Sequence, residues 1–290
     1  MVEDNNEADL ATARRKFITV SVASVTLAAA GSLASAAASE ADSPIPNAAS
    51  FGSVKALVFD VFGTVVDWRG SIIREGELLG KRKGIQADWV AFADAWRGGY
   101  QPAMQKVRSG EIPWVNIDGL NRIILNDLLR QFQITGLSEQ EIDYFNRAWH
   151  RLWPWPDAVG GMNRLKSRYV ISTLSNGNVS LLTNMGKYAG LPWDCILGAE
   201  LARHYKPDHE VYESAAYFLD LKVNEVMMVA AHLGDLTAAK QVGLRTAFVV
   251  RPSEFGPTGQ SPAGKADLQP NGSVDLSLKD FNELARRLGA

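Results

Sequence analysis

Only one cysteine, Cys195, occurs in 290 residues. That excludes an intramolecular disulfide and any zinc site built on several thiolates. It lies in the apolar run "WDCIL" with no histidine beside it, and so reads as a small core residue rather than a nucleophile. An excess of one charge is also lacking: 30 Lys and Arg stand against 32 Asp and Glu, a formal net charge of −2, and no block of like charge occurs outside the N-terminus. Such a balance points to neither nucleic acid nor an anionic membrane surface, and a small-molecule partner is expected. Long unbroken hydrophobic runs are missing too. The weakly apolar stretch from Thr19 to about Ala38 is interrupted by Ser and Gly and is too weak for a permanent membrane anchor. What the chain does have is 46% hydrophobic residues, enough to bury a full core in one or two globular domains.

The N-terminal fifty residues read as lying outside the fold. Arg14 and Arg15 are followed by Phe17 and Ile18, the weakly apolar stretch, and small-residue sites at Ala34-Ser35-Ala36 and Ala36-Ala37-Ala38. This is the layout of a twin-arginine export signal over 1–38, with a Pro/Ser-rich linker over 39–52. A periplasmic protein is expected, with a cytoplasmic chain carrying a disordered tail as the alternative.

From residue 53 onward, five apolar segments end by turning polar: "ALVFD" (56–60), "RYVISTLSNG" (168–177), "WDCILGAE" (193–200), "EVMMVAAH" (225–232) and "RTAFVVRP" (245–252). They read as buried parallel strands. Helical patterns lie between them, "VSLLTNMGKYAGL", "DHEVYESAAYFLDL" and "DLTAAKQVGL", the last closing on Gly243. Strand alternating with helix predicts an α/β fold with a doubly wound parallel sheet, its core formed by 53–67 and 158–290. Residues 68–157 break the alternation with "ADWVAFADAWRGGYQPAMQKV", "NIDGLNRIILNDLLRQF" and "SEQEIDYFNRAWHRL", ending at "WPWPD". They read as a helical insert after the first strand, with no strand of its own.

Ligands of such sheets bind at the carboxyl ends of the strands. The polar groups gathered there are Asp60 and Thr64 after the first strand, Ser175, Asn176 and Gly177 after the second, Lys206 and Tyr212 after the third, and His232 and Asp235 after the fourth. Each alone is weak evidence, since a strand-end Asp is often a helix cap and Lys-Pro often a turn. In this order on one sheet, they predict a site.

"FDVFGTVVD", "STLSNG", "YKPDHEVY" and "MVAAHLGDLTAAKQVGL" resemble the four ordered motifs of the haloacid dehalogenase superfamily, and the helical insert stands where that family has its cap. Within the superfamily, the chain looks most like the type II 2-haloacid dehalogenases. Family phosphatases usually carry a second aspartate two residues after the nucleophile as general acid for the leaving group. Here that position is Phe62, and a departing halide needs no proton. In the fourth motif, Asp235 falls on the second acidic position of the phosphatase pattern and Ala231 on the metal-binding first one. A site lacking that ligand is a poor Mg²⁺ cage, so no metal and no cofactor is expected.

The resemblance implies hydrolysis of short 2-haloacids to 2-hydroxy acids. Asp60 would attack the substrate Cα, expel halide and form an ester that water then cleaves. Lys206 would keep Asp60 ionised, while Thr64 and Ser175 orient Asp60 and the substrate carboxylate. Phe62 would wall an apolar pocket, Arg97 and Asn176 would receive the halide, and Asp235 would hold the hydrolytic water with Lys206 and Tyr212 nearby. Arg74, Arg108, Arg122 and Arg151 compete with Arg97 for the role of cap arginine. Where many members have Ser and Asn, this chain has Ala230 and His232. His232 either shares water activation with Asp235 or fills and polarises the pocket floor. L-substrates, inversion at Cα and a homodimer are likewise implied by resemblance alone. The competing readings are a Mg-dependent phosphatase of the same superfamily and a catalytically silent exported binding protein.

Overall fold

Strands buried on both faces of a parallel sheet need nearly continuous apolar runs, and those runs form the sheet here. The structure, a computed structural model, describes residues 51–290. The expected export signal and nearly all of the expected linker lie outside the described residues.

In chain order, β1 (Ala56–Phe59) is followed by the two-residue β2 (Val66–Asp67). Five helices come next: α1 (Trp68–Lys83), α2 (Trp89–Gly98), α3 (Tyr100–Arg108), α4 (Ile117–Gln131) and α5 (Glu139–Asn146), the last running into a 3₁₀ turn, Arg147–His150. The chain continues through β3 (Trp153–Pro154), α6 (Ala158–Lys166), β4 (Val170–Ser175), α7 (Val179–Ala189), β5 (Cys195–Gly198), α8 (Ala199–Ala202) and α9 (His209–Phe218). It ends with β6 (Val226–Ala230), α10 (Leu233–Val242), β7 (Arg245–Val249), β8 (Gln260–Ser261), β9 (Gly264–Lys265), β10 (Leu276–Leu278) and α11 (Phe281–Leu288).

The main sheet has the order β10-β7-β6-β1-β4-β5, and every pairing in it is parallel. This is the doubly wound α/β sheet that the alternation predicts. β1 sits in the interior of the sheet between β4 and β6 and is wholly buried. All the strands run the same way, so their carboxyl ends share one edge, and the loops after β1, β4, β5, β6 and β7 meet there.

The helices between β2 and β3 start on their own caps. The side chains of Asp67, Asp88, Asn116 and Ser138 accept from backbone N–H groups of the first turns of α1, α2, α4 and α5. The aromatics of this stretch form its core: Trp68, Phe92 and Trp96 are fully buried, and Trp96 meets Phe145 and Trp149 ring to ring.

Several features differ from the sequence reading. The long helical pattern over 87–107 is two helices, parted at Gly98-Gly99, where glycine weakens the helix and Pro102 supplies no N–H within the first turn of the next. The insert is not free of strand: Val66 and Asp67 pair antiparallel with Pro154 and Trp153 and close its base. A two-residue ladder leaves no periodicity to read. β10 leaves no readable signal in the sequence, because three residues with an exposed centre give too short an alternation. Cys195 lies half-buried on the edge strand β5 rather than deep in the core. Phe51, placed in the linker by composition, is buried against the core.

Candidate active site

The turn after β1 carries the first group. Gly63 has φ +86°, and a Cβ there would lie 2.1 Å from a carboxylate oxygen of Glu254, so only glycine fits both the backbone and the space. This turn leaves Asp60 at the strand end, 7% exposed. Thr64 Oγ1 donates to Asp60 Oδ2 at 2.7 Å and itself accepts the Ala231 N–H at 2.9 Å, tying the β1 loop to the end of β6.

Lys206 reaches the same carboxylate from the loop between α8 and α9. Its Nζ donates to Asp60 Oδ1 at 3.0 Å and to Asp235 Oδ2 at 2.5 Å. Tyr212, on α9, donates its hydroxyl to Asp235 Oδ1 at 2.6 Å. The Lys206 backbone is held in turn by the side-chain oxygen of Asn176, which accepts its N–H at 2.7 Å, and by Arg108, which donates to its carbonyl at 2.5 Å.

His232, just before α10, is placed against the nucleophile candidate itself. Its Nδ1 lies 3.0 Å from Asp60 Oδ2, and its Nε2 lies 3.0 Å from each carboxylate oxygen of Glu254. Glu254 is 1% exposed and also accepts from Trp68 Nε1 at 3.1 Å. With a carboxylate at each ring nitrogen, both nitrogens act as donors.

The electrostatics follow from these partners. Burial pushes the Asp60 carboxyl up, but the Lys206 charge and the His232 and Thr64 hydrogen bonds outweigh it and hold the group well below the usual carboxylate range. Asp235 moves the other way: burial and the Asp60 charge raise it, against Lys206 and Tyr212. For Lys206, burial alone would favour the neutral amine, yet Asp235 and Asp60 raise its pKa. Burial likewise works against a charged His232, but Glu254 and Asp60 raise it well above an ordinary histidine. At neutral pH the site therefore holds an ionised Asp60, a lysine ammonium and an imidazolium.

A cleft of about 370 Å³ opens over these groups. Every site residue expected from the sequence borders it except Thr64, which is fully buried beneath Asp60. Phe62 is on the wall, edge-on to Trp149 at 5.9 Å. Ser175 is buried at the end of β4, where its Oγ accepts the Gly177 N–H at 3.2 Å. Of the five candidate arginines, only Arg97 lines the cleft. Arg74 lies over the Trp153 ring, Arg122 pairs with Glu139 and Asp143, Arg151 pairs with Glu75, and Arg108 holds the Lys206 loop. Lys206 stands between the two acids and donates to both. Among the described residues no cluster of His, Cys, Asp and Glu is arranged to hold a metal ion.

Three contributors escaped the sequence reading. Glu254 and Arg251 follow β7, at the same carboxyl edge as the other strand-end groups, so the strand-end rule marks them as well. Arg251 donates from Nε to the Thr64 carbonyl at 2.8 Å and binds Asp157 through both Nη atoms at 2.7 and 3.0 Å, which braces the loop after β1 from behind. Tyr100 reaches the cleft from the first turn of α3, and nothing in its helical spacing marked it out.

This site, on the carboxyl edge of a doubly wound sheet beneath a helical roof, has the organisation of a known hydrolase class. The model of the haloacid dehalogenase-like hydrolase family matches residues 54–243, and the chain belongs to that family. Within it, the chain falls among the 2-haloacid dehalogenases, hydrolases of carbon–halogen bonds. It is 28% identical over 226 residues to (S)-2-haloacid dehalogenase 4A of Burkholderia cepacia, covering 75% of this chain and 94% of that one. Two crystal structures are more similar in sequence. A defluorinating L-2-haloacid dehalogenase is 46% identical with a TM-score of 0.77, over 82% of this chain and 96% of its own. A second L-2-haloacid dehalogenase is 45% identical with a TM-score of 0.75, over 81% and 99%.

Proposed function

We propose that the protein hydrolyses short 2-haloacids to 2-hydroxy acids and halide, without a metal ion, through an ester on Asp60. The observation that carries this reading is the Asp60 carboxylate itself, ionised by Lys206 and His232 and facing a cleft whose neighbouring wall is Phe62, where a phosphoryl-transfer site needs a proton donor. In the first step an Asp60 oxygen attacks Cα in line with the carbon–halogen bond, and the bonding pair leaves with the halide toward Arg97 and Asn176. Ser175 and the main-chain N–H groups after β1 and β4 bind the substrate carboxylate.

In the second step, water attacks the ester carbonyl of Asp60 and passes its proton toward Asp235; the acyl C–O bond then breaks, the departing 2-hydroxy acid oxygen takes up that proton, and the Asp60 carboxylate is restored. Thr64 and His232 both donate to Oδ2, so this oxygen is the one suited to remain the carbonyl, and its two donors stabilise the oxyanion that forms there. Glu254 keeps His232 charged for that task. The imidazolium is thus a poor base in the resting enzyme, which favours a polarising role for His232 and leaves the water to Asp235.

The test is halide release from L- and D-2-chloropropionate and chloroacetate, with p-nitrophenyl phosphate as control, with and without chelator. Chelator-resistant chloride release, abolished in Asp60→Asn, is expected from the L isomer. Magnesium-dependent phosphate release would favour the phosphatase alternative, and silence on every substrate the binding-protein alternative. Export by the twin-arginine route and a homodimer belong to the same proposal. They rest on the Arg14-Arg15 signal and on the family resemblance respectively.

A further inference from the structure

The segment that carries Lys206 is gripped from the insert. Arg108, the last residue of α3, donates from Nη2 to the carbonyls of Tyr205, at 3.1 Å, and Lys206, at 2.5 Å, and from Nε to the Asp208 carboxylate at 3.1 Å. The Trp114 ring stacks on Tyr205 with centroids 4.7 Å apart, and the Tyr205 hydroxyl donates to the Val115 carbonyl. From the core side, Asn176 accepts the Lys206 N–H at 2.7 Å. The same helix touches both ends of this circuit: Tyr100, in its first turn, has its ring centroid 4.5 Å from the Arg97 guanidinium and its hydroxyl beside the Asn176 amide. A planar guanidinium that spans two successive carbonyls and a carboxylate fixes orientation as well as distance.

We propose that Arg108 is a positioning residue for the reaction at Asp60: from the insert it fixes the Lys206 backbone, and through it the place of the ammonium that partners the nucleophile. The inference rests on the dehalogenase reading above and adds a residue that stands outside the cleft lining. Lys206 Nζ bonds Asp60 and Asp235 at once, and the flexible lysine stem holds that position only from a fixed starting point. Its backbone is therefore as much a part of the site as its ammonium. A displacement of about 1 Å at such a group costs on the order of a hundredfold in rate, even where the cause lies far from the chemistry. Arg108 makes its three bonds from a helix whose first turn, Tyr100 and Gln101, lines the cleft. Seating the roof and placing the nucleophile's cation are thus one event: with α3 in place Asp60 has its lysine, and with α3 displaced it does not.

The experiment measures chloride release from L-2-chloropropionate by the full protein, Arg108→Ala and Arg108→Lys, with ester formation on Asp60 followed by rapid-quench mass spectrometry. In both variants kcat and the rate of ester formation are expected to fall by about ten- to a hundredfold, with KM changing far less. Millimolar guanidinium sulfate is expected to restore part of the rate to Arg108→Ala and none to Arg108→Lys, whose ammonium takes the place without spanning two carbonyls. The acid limb of the rate profile is expected to move to higher pH in both. Lys206, His232 and Asp235 are the charged groups around Asp60, with Glu254 behind His232 and Thr64 donating to the carboxylate, and of these supports only that of Lys206 is weakened. An arginine that merely holds the fold would lower the folded fraction, read by circular dichroism, and leave kcat per folded molecule and the acid limb unchanged. That result overturns the proposal, as does ester formation at the wild-type rate. Should Arg108→Ala fail to fold, the rate and acid limb of Arg108→Lys decide alone. A wild type that releases no halide overturns the dehalogenase reading, and this inference with it.

Discussion

At the scale of single residues, the site works by opposing burial with charge. Asp60 is almost fully buried, which alone would neutralise it, yet Lys206, His232 and Thr64 hold it ionised. Replacing His232 by Asn removes one of those supports, so the Asp60 pKa must rise. The acid limb of the halide-release profile is then expected to move to higher pH than in wild type. The same variant lacks the charged donor on Oδ2, and single-turnover mass spectrometry is expected to find the Asp60 ester accumulating because its hydrolysis slows by about a hundredfold. A second expectation concerns stability. The His232 pKa is raised in the folded protein, so its contribution is fully present below the unfolded value of about 6.5 and is lost as pH rises through the folded value, at about 1.4 kcal/mol per pH unit. Urea unfolding of wild type and His232→Asn at several pH values above 6.5 should show the difference between them shrinking as pH rises.

At the scale of elements, the loop after β1 that carries Asp60 and Thr64 is held from two sides. Gly63 lets the chain turn where Glu254 packs against it. Gly63→Ala is expected to destabilise the fold by about 1–3 kcal/mol and to displace Glu254 from His232, lowering kcat beyond any loss of folded protein. Arg251 joins the end of β7 to the Thr64 carbonyl and to Asp157, whose carboxylate also accepts the Phe281 N–H at the start of α11. Arg251→Met leaves that carboxylate without its cation, and denaturant unfolding is expected to show a loss of about 3–5 kcal/mol. The elements themselves were legible wherever burial imposes a period. β1, β4, β5, β6 and β7 are apolar runs because both faces of the sheet are covered, and α10 ends where Gly243 takes a left-handed φ of +106°. Two-residue ladders such as β2–β3 impose no period and left no trace.

At the scale of the whole molecule, the proposed export signal and the proposed site fall on separate parts of the chain. Mass spectrometry of the protein from a periplasmic fraction is expected to show a start after Ala36 or Ala38, and Arg14→Lys with Arg15→Lys should leave the full-length chain in the cytoplasm. Among the described residues, no helix is long and apolar enough to cross a membrane. The sequence by itself determined the alternation of the sheet, the strand-end positions of Asp60, Asn176, Lys206 and Asp235, and the absence of an acid at Phe62, because a buried parallel strand writes its pattern and its end into consecutive residues. Only the tertiary structure decided that His232 faces Asp60, that Glu254 stands behind it, and that Tyr100, from a helix of the insert, meets Arg97 and Asn176. Those contacts join residues up to 172 positions apart. Local propensity carries no information about which distant loops a closed sheet edge will bring together.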